Sequence, residues 1–189
     1  DIADSVIELL KGNMAELVVG NPSNVTTDVG PVIDKEAQKG LRGHIEAMRN
    51  DSRARVIAQT PISSESANNL SNSTFVLPTA IEVDGIDVIG GEHFGPILHI
   101  LRYEASKLDE LIEEINATGY GLTLGIHSRI ETVADHIESR TKVGNTYINR
   151  NQIGAVVGEQ PFGGCGLSGT GPKAGGPRYV ARLTKWQNV

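Results

Sequence analysis

Two short stretches hold the groups best suited to chemistry. Gly90-Gly91-Glu92-His93-Phe94-Gly95-Pro96 sets an acid two residues from an aromatic ring, in a turn that leads into an apolar run. A carboxylate there can accept two hydrogen bonds from a ribose diol, and the ring beside it can lie against a flat heterocycle. The plainer reading is a solvated turn with Phe94 in a core. The second stretch, Pro161 to Pro177, contains the sole cysteine, Cys165, and glycines at 163, 164, 166, 169, 171, 175 and 176. Glycines let successive backbone N–H groups face one ligand, and Ser168 and Thr170 add hydroxyls, a chemistry suited to a carboxylate or a phosphate. Composition leaves a second reading equally open: a connector that packs tightly against a neighbour.

Two literal motifs in the second stretch mislead. Gly164 to Gly169 spells G-x-G-x-x-G, but a dinucleotide fingerprint needs a strand running into it and a helix starting inside it. Pro161, Pro172 and Pro177, with their flanking glycines, oppose both. Cys165 has no histidine in its window and only Lys173 as a nearby cation, so it reads as a small filler residue rather than a nucleophile. The five histidines, His44, His93, His99, His127 and His136, form no H-x-x-x-H pair, and no metal site is expected. His99 and His127 fall in strand patterns and read as structural.

The 189 residues, 39% hydrophobic, suffice for one ordinary core, and a single domain over 1–189 is the expectation. A net charge of -6 offers no broad basic face for a nucleic-acid backbone. One cysteine, no apolar run of membrane length and no opening signal segment point to a reducing, cytoplasmic setting. The chain opens at Asp1 directly into a helical pattern, and it reads as a piece of something longer.

The elements that must position these stretches follow from spacing. Ile2, Val6, Leu9 and Leu10 mark an opening helix, perturbed near Gly12 and stopped by Gly20-Asn21-Pro22. Asp34 caps a second helix with Ala37, Leu41, Ile45 and Met48 inward, weakened by Gly40 and Gly43. Arg55–Gln59 and Phe75–Val83 read as strands, separated by a polar loop over 60–74. Ile97–Arg102 and Leu122–His127 read as buried strands. Between them Ser106 to Asp109 forms a capping box before Leu108, Leu111, Ile112 and Ile115, with Gly119 closing the helix. A further helix carries Ile130, Val133, Ala134 and Ile137, ends near Gly144, and leads into the strand Asn145–Asn149. The alternation predicts an α/β fold: a parallel sheet with helices on both faces and ligands at the carboxyl ends of the strands.

Glu92-His93-Phe94-Gly95-Pro96, Asn145-Thr146-Tyr147-Ile148-Asn149, and Pro161-Phe162-Gly163-Gly164 with Ser168-Gly169 resemble, in order and spacing, the C-terminal part of the aldehyde dehydrogenase superfamily. The likeness covers essentially the whole chain. The run from Asn149 through Gly158 to Ala174-Gly175-Gly176-Pro177 resembles the branch that oxidises L-glutamate 5-semialdehyde (pyrroline-5-carboxylate), above all its bifunctional proline-utilisation members. The resemblance implies a three-layer αβα catalytic domain of which this is a fragment, with NAD as cofactor. It places Glu92 on the nicotinamide ribose, Phe94 near the nicotinamide, and Ser168 with Gly169 on the substrate's α-carboxylate. Asn149 would lie near the site without a catalytic step. It also implies FAD in a separate proline dehydrogenase domain of a bifunctional parent, the rest of that parent chain as a partner, and a share of a homo-oligomer contact. The family's nucleophilic cysteine, general-base glutamate and phosphate-binding segment match nothing here, so no catalytic residue is expected in this chain. The rival reading is a noncatalytic aldehyde-dehydrogenase-like structural or small-anion-binding module.

Overall fold

The opening segment carries apolar residues on two sides, and the structure, a computed structural model, covers only one of them. It describes residues 2–62, 73–156 and 158–185, which fall into two compact units, Asp1–Arg102 and Tyr103–Val189. Helix α1 (Ala3–Glu16) runs unbroken through Gly12 and buries Ile7 and Met14, while Ile2, Val6 and Leu9 face outward. The helix expected from Ile2, Val6, Leu9 and Leu10 forms, with Ile7 and Met14 as its buried side chains. A tertiary contact helps to hold that side: the Thr60 hydroxyl, buried after the first strand, donates to the Met14 carbonyl at 3.0 Å.

Helix α2 (Lys35–Asn50) begins as the sequence requires. Asp34 is extended, and its carboxylate accepts the Ala37 N–H at 2.7 Å, satisfying one of the orphan donors of the first turn. Leu41, Ile45 and Met48 are buried, together with His44. The helix packs on a sheet ordered β1-β2-β3, formed by β1 (Ala54–Gln59), β2 (Thr79–Val83) and β3 (Ile97–Leu101). The predicted strand over Phe75–Val83 shortens to β2 because Pro78 has no N–H for a ladder. Most of the predicted loop over 60–74 lies outside the described residues. β2 is almost wholly buried and central; Met48, Ile81, Val83 and Val88 form the core against it, and Ile97 also packs on Leu41, Ile45 and Val76.

β3 runs parallel to β2, but β1 runs antiparallel to it, so this sheet is mixed rather than all parallel. Residues 84–96, including a 3-10 turn at Ile86–Ile89, make the crossover between the parallel pair. That is close to the dozen residues such a connection needs at minimum. The Glu92 turn is therefore the last part of a short, taut connection.

In the second unit, α3 (Leu108–Ala117), β4 (Tyr120–Gly121), β5 (Thr123–Ile126), α4 (Glu131–Arg140) and β6 (Asn145–Ile148) follow the predicted alternation. β5 and β6 pair in parallel around α4, a βαβ unit with Ile112, Ile126, Ala134 and Tyr147 buried in this half of the chain. Among the described residues β1, β2 and β3 form the sheet of the first unit, and β5 pairs with β6 in the second. The Ser106 capping box does not form. A 3-10 turn at Ala105–Lys107 closes with the Lys107 N–H on the Glu104 carbonyl at 2.8 Å, and α3 starts without a side-chain cap. β7 (Cys165–Gly166) pairs antiparallel with β4, and a single turn, α5 (Tyr179–Arg182), follows. No helix among the described residues is long and apolar enough to cross a membrane.

Asn149 ends β6 with φ at 54°, the left-handed region that asparagine tolerates better than most residues. Its side chain makes a reciprocal pair with Ser128 at the exit of β5: Oδ1 accepts the Ser128 N–H at 3.0 Å and Nδ2 donates to the Ser128 carbonyl at 2.9 Å. The amide thus staples the carboxyl ends of the two parallel strands. Asn149→Ala, which loses both bonds and strains the backbone, should destabilise by roughly 2–3 kcal/mol. Asn149→Gly should lose less, by about 1 kcal/mol, because the strain is relieved. Urea midpoints of the two variants check the order; equal losses would remove the backbone contribution.

Candidate functional site

The Glu92 turn is seated on α2 at two points. Gly95 passes so close to Leu41 that a Cβ there would run into the leucine methyls. One helical turn further along, the His93 ring stacks on His44, with centroids 3.5 Å apart and planes at 22°. Glu92 and Phe94, on either side of His93, are exposed, Phe94 to 80%. Phe94 is therefore no core residue, while the turn itself is solvent-exposed. What the turn offers is a carboxylate and an open aromatic face, held by their neighbours rather than by contacts of their own.

Behind His93 a third histidine completes the seat. His44 Nε2 lies 2.8 Å from His99 Nε2 on β3, so one ring donates and the other accepts, and the two rings meet edge to face with centroids 5.1 Å apart. His93 Nε2 lies 3.0 Å from the Ile89 carbonyl and donates to it, since a carbonyl can only accept. Burial lowers the His44 pKa to about 4, with the neighbouring His93 and His99 adding to the effect. The same burial, then His93, lowers His99. The histidine counting above missed this cluster, because its members are scattered at 44, 93 and 99 and meet only through packing. Among the described residues no three metal-ligating groups are arranged to hold an ion.

The glycine-rich loop carries the other candidate residues, in the second unit. Among the described residues no strand runs directly into the G-x-G-x-x-G and no helix starts within it, as the flanking prolines imply. The Ser168 hydroxyl accepts the Gly121 N–H at 3.0 Å, which fixes the oxygen and leaves its own proton for a second partner. A Cβ on Gly164 would stand 2.6 Å from the Ser168 carbonyl oxygen, and one on Gly169 would stand 2.7 Å from the Gly164 carbonyl oxygen. Only glycine at both positions lets the loop close on itself around Ser168. Closure also uses donors: the Ser168 N–H goes to the Cys165 carbonyl at 3.1 Å, and the Gly169 N–H makes a long 3.5 Å contact to the Gly166 carbonyl. The row of free N–H groups suggested by composition is thus shortened at Ser168 and Gly169.

Neighbouring groups hold the loop in place. Asn145 Nδ2 donates to the Pro161 carbonyl at 3.0 Å, and its Oδ1 accepts the Gly163 N–H at 3.3 Å. Phe162 and Ala174 exchange backbone bonds at 2.9 and 2.8 Å, and Lys173 Nζ donates to the Gly144 carbonyl. The Cys165 thiol donates to the Lys142 carbonyl at 2.9 Å, a packing role with no base in contact. Glu92 and Phe94 are thus brought together in one unit, and Ser168 and Gly169 in the other.

An α/β chain with an exposed E-x-F-G-P acid and a closed glycine loop after a Tyr-Ile-Asn strand belongs to a recognisable class: over residues 1–189 it matches the aldehyde dehydrogenase family, and it is a member of that family. Within it, the chain is 52% identical over 183 residues to the bifunctional protein PutA of Klebsiella aerogenes, covering 97% of this chain and 14% of that protein. It is 36% identical to 1-pyrroline-5-carboxylate dehydrogenase 1 of Halalkalibacterium halodurans, over 96% of this chain and 34% of that enzyme. A crystal structure of a proline utilization A (PutA) mutant from Bradyrhizobium japonicum superposes with a TM-score of 0.88 at 49% identity, covering 96% of this chain and 18% of that one. The chain therefore spans a small part of the length of these relatives.

The lowered histidines make stability depend on pH in a defined direction. Above about pH 6.5 His44 is neutral both folded and unfolded. Between about 6.5 and about 4 the unfolded chain takes up a proton that the folded one refuses, so stability falls as pH drops through that window. The ion-paired carboxylates Asp4, Glu82, Asp87 and Asp109 are lowered from ordinary values of 3.8 to 4.5, so their contribution is lost from the acid end of that window downward. Melting temperature between pH 7 and pH 4.5 should fall for the wild type and fall less for His44→Phe; parallel curves would contradict the assignment.

Proposed function

We propose that this chain is part of an NAD-dependent dehydrogenase that oxidises L-glutamate 5-semialdehyde to glutamate in proline catabolism, and that its own residues bind rather than react. The observation that carries this reading is the Glu92 turn: an acid and an aromatic ring, both exposed, on a segment locked to α2 through the residue between them. Similarity to PutA and to 1-pyrroline-5-carboxylate dehydrogenase supports the substrate class.

The exposed groups fit NAD, which supplies a hydride acceptor when bound. Glu92 accepts the hydroxyls of the nicotinamide ribose, each a charge-assisted bond, and Phe94 gives the nicotinamide an apolar surface. Ser168 donates its free proton to the substrate's α-carboxylate, and Gly169 allows that carboxylate to approach the backbone. Holding the far end of the substrate fixes where its aldehyde can react. The attacking thiolate and the general base come from outside these 189 residues, because Cys165, the sole cysteine, is engaged with a backbone carbonyl. FAD belongs to a separate proline dehydrogenase domain of the parent, which works in the cytoplasm, and no residue here is assigned to it.

In the full-length protein, Glu92→Ala should weaken NAD⁺ binding with little effect on semialdehyde affinity. Ser168→Ala should do the reverse, raising KM for the semialdehyde by the ~1–3 kcal/mol of a hydrogen bond to a charged group while NAD⁺ affinity holds. Isothermal titration with NAD⁺ and initial-rate kinetics separate the two; an unchanged KM removes Ser168 from the anchor. The isolated 189-residue chain should produce no NADH from the semialdehyde, and measurable production would overturn the binding-only role.

A further inference from the structure

The three-histidine cluster lies outside the residues that meet ligand, yet it is the most elaborate arrangement beneath any of them. His44 is a buried polar residue at 9% exposure, on a helix face otherwise occupied by Leu41, Ile45 and Met48. A leucine or methionine would fill that space with less desolvation of polar groups. His44 instead gives one ring face to His93 and one ring nitrogen to His99. These two contacts come from the two ends of the same segment: His93 sits in the turn, and His99 is on the strand the turn feeds.

We propose that His44 is a positioning residue for cofactor binding, setting the outward aim of Glu92 and Phe94 by holding His93 between them. The proposal rests on the assignment of Glu92 to the ribose. Burial alternates along the three residues, His93 half-buried between exposed Glu92 and exposed Phe94, so holding His93 inward keeps both of its neighbours outward. The His93 bond to the Ile89 carbonyl fixes the ring edge, the His44 stack fixes its face, and the absence of a Cβ at Gly95 lets the backbone lie close on Leu41. The His44–His99 bond in turn fixes the plane of the His44 ring. The lowered pKa values of His44 and His99 agree with this geometry, since an Nε2-to-Nε2 hydrogen bond needs one of the two rings to be uncharged and accepting.

The test is NAD⁺ binding and steady-state kinetics on the full-length protein with His44→Ala, His44→Phe, Glu92→Ala and the double variant His44→Ala/Glu92→Ala. His44→Ala should raise the Kd and KM for NAD⁺ about tenfold, the scale of one misaimed charged hydrogen bond, with kcat and the semialdehyde KM within about twofold. His44→Phe, which keeps a ring under His93, should restore NAD⁺ affinity to within about threefold. The double variant should bind NAD⁺ no worse than Glu92→Ala alone, because His44 acts only through that turn. Additive losses, an unchanged Kd in His44→Ala, or no rescue by phenylalanine would overturn the proposal while leaving the ribose assignment standing. An unchanged Kd in Glu92→Ala would instead overturn the ribose assignment itself and the positioning role with it. If His44→Ala does not fold, His44→Leu, which keeps bulk without an aromatic face, replaces it with the same expected loss.

Discussion

Helix α2 and the turn before β3 touch at two places one helical turn apart, and what the first unit can present to a ligand depends on that contact. At one place a missing Cβ lets the backbone of Gly95 lie on Leu41. At the other, two imidazoles lie face to face, with a third bonded to the edge of one of them. The crossover that carries the turn is near the shortest that can join two parallel strands, so it has little slack. An exposed acid on an ordinary loop would lose side-chain and backbone freedom when a ligand bound it. On this seat most of the backbone cost is met by folding.

The glycine loop of the second unit solves the same problem without a helix. Ser168 is held by a hydrogen bond from Gly121, by the close approach of Gly164 and Gly169, and by the short antiparallel pairing of β4 with β7. Asn145 and Asn149, at the two ends of β6, tie the flanking chain down through side-chain amides. Ser168 is thus held by contacts of its own, whereas Glu92 and Phe94 are held through the residues beside them.

Local spacing made the scaffold legible. The Asp34 cap, the Leu41-Ile45-Met48 face, the βαβ unit around α4 and the failure of the G-x-G-x-x-G to be a fingerprint all depend on residues within a few positions of one another. The family and its branch were legible for the same reason, since the Glu92, Asn145–Asn149 and glycine-loop motifs are contiguous. Features decided by distant partners were not. α1 has two apolar faces, and distant partners, Thr60 on Met14 and Arg102 on Asp4 among them, fix which one is covered. The antiparallel course of β1 leaves no trace in its own six residues. The Ser106 box satisfied a local rule, yet a 3-10 turn took the backbone it needed. The histidine cluster and the Ser168 bond to Gly121 join residues 44 to 99 and 121 to 168, and neither spacing has a period to detect.

A crystal structure of the full-length protein with NAD⁺ and glutamate bound tests the central claim most directly. The account predicts both Glu92 carboxylate oxygens within about 2.5–3.0 Å of the nicotinamide-ribose hydroxyls, and the Ser168 hydroxyl at similar distance from the glutamate α-carboxylate. It predicts His93 still stacked on His44. A ribose more than about 5 Å from Glu92, with the α-carboxylate held away from Ser168, would contradict it.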